Sequence, residues 1–272
     1  MQSAATSSAV RWALARWPGP IASIALAQLF GTSLWFSANG VGPSLMREWG
    51  ATAADIGWLT SSVQVGFILG TLLMSVVGIA DRFQASTMFA LAGVSGAVFN
   101  ACFAWFSSGV LDASIYRFMV GLCLAGIYPI GMKLLVTWVK NRPGWALSLL
   151  VGMLTLGTAL PHALTWGGAG LDWRVIASAS SAMTLLGVAL VWLLGDGPYA
   201  VSGSPVSGKG LSGWSRSIAA FRIPAYRAAA FGYFGHMWEL YAFWTVLPLL
   251  LAGIGIAETG AEGTTSALAF VI

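Results

Sequence analysis

Charge is what this sequence has least of. Only 8% of its 272 residues are Asp, Glu, Lys or Arg, where a soluble domain carries roughly a quarter. The missing charge excludes an ordinary water-exposed surface, and the 57% apolar fraction says what replaces it. Cysteines are scarce too: Cys102 and Cys123 both lie inside apolar runs, where they read as small packing residues rather than a disulfide or metal pair. Two histidines, no H-E-x-x-H and no clustered acids leave little from which to build a catalytic centre, so neither an enzyme nor a cofactor is expected. The net charge of +4 comes from basic residues scattered singly. That pattern marks the cytoplasmic loops of a membrane protein and excludes a nucleic-acid surface.

What is present is a series of apolar runs. They cover about 20–41, 57–80, 87–107, 114–139, 144–167, 174–195 and 228–252, seven stretches each near the roughly 20 residues a spanning helix needs. The first is too long for the core of a typical signal peptide. An eighth run begins near Thr264 and reaches the last residue, Ile272, so the sequence is expected to end inside an element. Placing the N-terminus inside leaves Arg11, Arg16, Arg82, Lys140, Arg142, Lys209, Arg216, Arg222 and Arg227 cytoplasmic. Only Arg47 and Arg174 then fall outside, which decides the orientation. Tryptophans cluster near the predicted ends, as amphipathic rings do at headgroup level.

The fourth span, YRFMVGLCLAGIYPIGMKLLVTWV, organises the rest. Arg117 and Lys133 lie within it, and a cation at mid-membrane costs about 3 kcal/mol or more unless it faces a bundle interior or a wet cavity. Gly121, Gly126, Gly131 and Pro129 allow close helix approach and a bend. At 100° per residue, Gly121 and Tyr128 lie within about 40° of Arg117, while Lys133 points about 160° away. Arg117 either serves a solute or bonds carbonyls of span one to hold the bundle. Lys133 either faces a cavity or snorkels to the cytoplasmic side.

Span seven holds the other anomaly. Glu239 lies near mid-membrane with His236 one turn before it and Tyr233 on the same face. A carboxylate there needs a cation, a hydrogen-bond partner or a proton, and an imidazole titrates near physiological pH. The pair is therefore a candidate for proton coupling, or a static packing contact. Gln28, Trp35 and Asn39 of span one and Gln64 of span two are candidate cavity residues, each alternatively a helix–helix contact.

The longest connection, Gly195 to about Arg227, is rich in Gly, Ser and Pro and then basic. The expected organisation is a cytoplasmic arm over 1–18, a six-helix bundle over 19–195, a cytoplasmic linker over 196–227 and the start of a second bundle over 228–272. Six spans, a basic linker and a fresh set is the plan of transporters built from two six-helix halves.

Two motifs resemble signatures of the major facilitator superfamily. The turn after span two reads GIADRFQAS, similar to G-x-x-x-D-R-x-G-[RK]-[RK]. Asp81 and Arg82 match; Gly78 lies one place too close, and Gln84 and Ala85 replace a glycine and a basic residue. Arg117-Phe-Met-Val-Gly121 is similar to the family's R-x-x-x-G of span four. The resemblance implies an all-α polytopic membrane protein of the cell (inner) membrane, present as one half and the start of the other. It implies a secondary transporter moving a small solute with protons, monomeric when complete, with Asp81 and Arg82 as a cytoplasmic gate. Around Tyr128 to Lys133 the chain is loosely similar to nitrate/nitrite and cyanate porters. Span two lacks the arginine with which nitrate porters hold the anion. Span five lacks both their Gly-Asn pattern and the G-x-x-x-G-P of drug antiporters. The cations of span four tilt the substrate towards an anion. A receptor or sensor on the same scaffold is the alternative. The 272-residue product is not expected to transport without the remaining spans.

Overall fold

A computed structural model describes residues 19–141, 143–168, 170–200 and 218–253. The N-terminal arm, most of the linker and the run near Thr264 lie outside the described residues. Those described are helical, with no strand among them. The elements are α1 (Pro20–Thr32), α2 (Ser37–Gly40), α3 (Gly42–Trp49), α4 (Ala53–Val77), α5 (Ile79–Arg82) and α6 (Ala85–Phe106). They continue with α7 (Val110–Leu124), α8 (Tyr128–Trp138), α9 (Pro143–Gly167), α10 (Trp173–Leu194) and α11 (Pro224–Gly253).

Five stretches are long and apolar enough to cross a membrane: α4, α6, the pair α7–α8, α9 and α10. Span one differs from its expected single run. It is interrupted at Ser33–Phe36 and continues as α2 and the short helix α3, so no one piece reaches spanning length. Span four is interrupted at 125–127, just before Tyr128-Pro129, where a bend was expected. Span seven is one helix of 30 residues. It is not among those five.

Local chemistry sets the helix limits. Thr52 and Asp55 form a reciprocal capping box that starts α4, and Gly78, at φ +67°, ends it. Asp112 accepts the backbone N–H groups of Ser108 and Gly109 at the start of α7. Gln84 gives α6 no cap. That role falls to Asp196, 110 residues on, whose carboxylate accepts from Ser86 N (2.7 Å) and Ala85 N (3.1 Å). An acidic cap of this kind contributes about 0.5–2 kcal/mol.

The helices pack in pairs, α4 along α7, α6 along α10, and α1 between α9 and α10. Without a hydrophobic force between helices in lipid, close packing and hydrogen bonds must hold such pairs. Small residues supply the closeness. A Cβ on Gly66 would stand 2.1 Å from the Phe118 carbonyl oxygen, and one on Gly121 2.1 Å from that of Val63. The outward flanks carry the exposed apolar side chains a bilayer requires, among them Leu91, Phe106, Leu111 and Leu186. Trp58, Trp105, Trp145, Trp166 and Trp192 are exposed near helix ends, where a headgroup belt places them.

Arg174, at the start of α10, has a local partner. Its guanidinium meets Glu48 of α3 through both nitrogens (2.5 and 3.2 Å), and Trp173 Nε1 donates to the same carboxylate at 2.6 Å. These bonds, the Arg174 guanidinium foremost and then Trp173, hold the Glu48 carboxyl below its ordinary value. A depressed carboxylate adds stability above its ordinary pKa and loses it as pH falls through the lowered one. The pair is part exposed, so its effect is small, about 0–1 kcal/mol. Glu48→Gln should melt slightly below wild type at pH 7, and the gap should close below roughly pH 4. A gap that persisted unchanged in acid would mean that the carboxylate charge is not the source.

Candidate functional site

Span one breaks without a proline. The cause lies in what receives its freed carbonyls, since unsatisfied backbone groups are not tolerated in a bilayer interior. Arg117 Nη2 donates to the carbonyls of Leu34 (2.8 Å) and Trp35 (2.5 Å). Its Nη1 donates to Ser37 Oγ (2.8 Å) and Asn100 Oδ1 (3.0 Å). Asn100 in turn donates to the Ala177 carbonyl and Ser181 Oγ, so one guanidinium links spans one, three, four and six. The side chain is fully buried and lies over the Phe103 ring, with only its Nε lacking an acceptor. Of the two roles the sequence left open for Arg117, this geometry is that of a carbonyl-bonding brace.

Lys133 leaves the centre as well. Its ammonium donates to the carbonyl of Ala80 in the turn after span two. Asn39 pairs with Thr60 of span two (2.9 Å) and is a helix–helix contact here. Arg82 and Gln64 are exposed and part-buried. The side chain of Asp81, the other half of the gate motif, lies outside the described residues.

The break of span one meets span seven through aromatic rings. Trp35, fully buried, stacks on Tyr241 at a centroid distance of 5.3 Å and an interplanar angle of 20°. It also contacts Phe67 of span two at 4.7 Å. Phe36 lies edge-on to Trp244 at 5.8 Å. Tyr128 packs against the same core. Three polar atoms in this region are buried without a partner: Trp35 Nε1 and both amide atoms of Gln28, which abuts Gly131 of span four.

Earlier along α11 the expected coupling residues are turned outward. Tyr233, His236 and Glu239 are all exposed, and no bond among the described residues joins His236 to Glu239. The structure thus brings Trp35, Gln28 and Tyr128 near the breaks and leaves His236 and Glu239 outside. Sequence reasoning passed over Asn100, Phe67, Tyr241, Trp244 and Asp196. A lone asparagine in the apolar run AVFNACFAWF was a signal for the first; the aromatic residues carried none, because rings are ordinary in apolar helices.

Comparison with known proteins agrees with the architecture. A niacin transporter, NiaP, of Acinetobacter baylyi (strain ATCC 33305 / BD413 / ADP1) is 29% identical over 129 residues, covering 44% of this chain and 29% of that protein. A D-xylose–proton symporter superposes with a TM-score of 0.63 at 16% identity, over 92% of this chain and 64% of that one. A bacterial homolog of the human lysosomal transporter Spinster, in an inward-facing and unoccupied conformation, gives 0.60 at 14% identity, over 74% and 47%. The chain therefore spans less than two thirds of each. Residues 24–272 match the model of the Major Facilitator Superfamily, and with the helical order and packing described above the chain belongs to that family.

Proposed function

We propose that this chain supplies the first half, and the start of the second, of a secondary transporter that moves a small solute by alternating access. The observation that carries the reading is the pair of interrupted spans. Spans one and four both lose helical geometry inside the bundle, and the break of span one is packed against span seven. Discontinuous helices at the interface of two repeats are where transporters of this general kind place their solute. The charge bias of the loops supports a multi-pass protein of the cell membrane with its N-terminus in the cytoplasm. Asp81 and Arg82 are proposed as a cytoplasmic gate between the halves, with Lys133 bonded to the backbone of that same turn.

The anion reading now stands on different ground. Both cations of span four are engaged elsewhere, and it is the partial likeness to a niacin transporter that supports a small carboxylate.

Proton coupling is assigned to Glu239, with His236 tuning it. Glu239 is exposed on span seven, on a surface that the rest of the second half would cover. A carboxylate held there can gain a proton on one side and release it on the other. In the product of the intact gene, Glu239→Gln should abolish uphill, pH-driven accumulation and spare solute exchange. Exchange needs no net proton movement. Accumulation against a gradient by this variant would place the coupling group elsewhere.

A further inference from the structure

Arg117 and His162 are the only ionisable side chains among the buried described residues. Arg117 engages four acceptors. His162, 7% exposed within span five, bonds to no described residue. A buried polar group without a bond is costly, and an ionisable residue at membrane depth points to a function. Neither form of this ring is supported where it stands. The neutral ring has no hydrogen bond, and a protonated ring would have no counter-charge. Of the elements packed on span five, α1 and α2 carry no titratable side chain. From α8 come Tyr128 and Lys133, and the Lys133 ammonium reaches the Ala80 carbonyl. From α10 comes Arg174, which pairs with Glu48 and Asp172.

The turn that carries His162 is also the weak point of its helix. Pro161 precedes it inside α9, so the Gly157 carbonyl loses its helical donor. Contact with α2 holds that end of span five in place. A Cβ on Gly40 would stand 2.8 Å from the Pro161 Cβ and 3.0 Å from the Pro161 carbonyl oxygen. One turn further on, Thr165 Oγ1 donates to the Gly40 carbonyl at 2.7 Å. From this geometry we infer that His162 is a proton-binding site that governs the contact between span five and α2. While the ring is neutral, turn 161–165 stays seated on Gly40. When the ring takes a proton, the turn lifts and water solvates the imidazolium, which the packed site cannot do. The contact joins span five to the piece of span one beyond its break, so acid loosens the packing of the interrupted span. This site lies in the first half and is separate from the pair assigned on span seven.

The test is hydrogen–deuterium exchange of the product of the intact gene in lipid nanodiscs. It is run at about pH 7.5 and about pH 5, either side of the ordinary imidazole value of about 6.5, with rates corrected for intrinsic exchange. A ring that protonates only once the turn has lifted raises the lifted population up to about 30-fold at the lower pH. The amides of residues 162–168 should therefore open up to about 30-fold more often in acid. His162→Gln, uncharged at both pH values, should show no such rise, and His162→Asn should behave in the same way. Glu239→Gln and His236→Gln should keep it, because the proton in question is not theirs. An equal rise in His162→Gln, no rise in wild type, or a rise lost in Glu239→Gln would overturn the inference. If neither His162 variant folds, the wild type decides. A rise confined to α2 and the Gly167 end of span five supports the switch, and a rise spread over all spans overturns it.

Discussion

Arg117→Leu should yield little or no folded protein in the membrane. The leucine fills the volume and removes the donors, leaving the carbonyls of Leu34 and Trp35, Ser37 Oγ and Asn100 Oδ1 without the guanidinium. Water cannot replace it at a site with no exposure. Each buried acceptor left without a donor costs about 1–3 kcal/mol, and several are left at once. That is a large share of a typical folding free energy of roughly 5–15 kcal/mol. Arg117→Lys separates the brace from a simple positive charge. An ammonium is compact and cannot reproduce the planar fork that reaches two carbonyls with one nitrogen and two side chains with the other. Arg117→Lys should melt well below wild type, measured by fluorescence size-exclusion after a heat step. Near-normal melting with altered solute affinity would instead assign Arg117 an electrostatic role towards the solute.

The second large effect is expected at Gly121. Its added Cβ would meet the backbone of span two, with the Val63 oxygen at 2.1 Å and the Phe67 nitrogen at 2.9 Å. Backbone cannot rotate away as a side-chain tip can. Spans two and four would have to separate along a seam where Gly66 makes the reciprocal contact with Phe118. Overpacking a tight site typically costs 1–3 kcal/mol, and a clash of two backbones lies at or beyond the top of that range. Gly121→Ala should lower the melting temperature sharply, and Gly121→Val should abolish monodisperse protein. Gly57, with open space at its Cβ, is the control, and Gly57→Ala should leave both readouts unchanged. If Gly121→Val is as well folded as Gly57→Ala, the span-two/span-four seam is looser than described.

These two residues also show what could and could not be read in the chain. The close approach at Gly121 was legible, because small residues in an apolar helix mark an interface whatever the partner. Span limits were legible within a few residues, since apolar runs end where Asp, Gly and Pro begin. The bend of span four was legible in Pro129 and Gly126. The break of span one was not: SLWF is mostly apolar, contains no proline or glycine, and reads as uninterrupted helix. Its cause is a guanidinium 80 residues away, a tertiary partner that no local window contains. The Asp196 cap on α6 escaped for the same reason. Asn39 and Lys133 each carried two readings in sequence. Thr60 and the Ala80 carbonyl, side-chain geometry that only the fold provides, receive them here.

The most direct test of the account is an unbiased exchange measurement on the product of the intact gene. Proteoliposomes are loaded with an isotope-labelled small-molecule extract of the source cells and diluted into the same extract without label. Mass spectrometry then follows which labelled compounds leave. At least one small solute should exit far faster than from protein-free liposomes. Its exit should require the unlabelled counterpart outside, and it should persist in Glu239→Gln. Folded protein that accelerates the exit of no solute would contradict transport, and would leave a receptor or sensor on this scaffold as the reading of the chain.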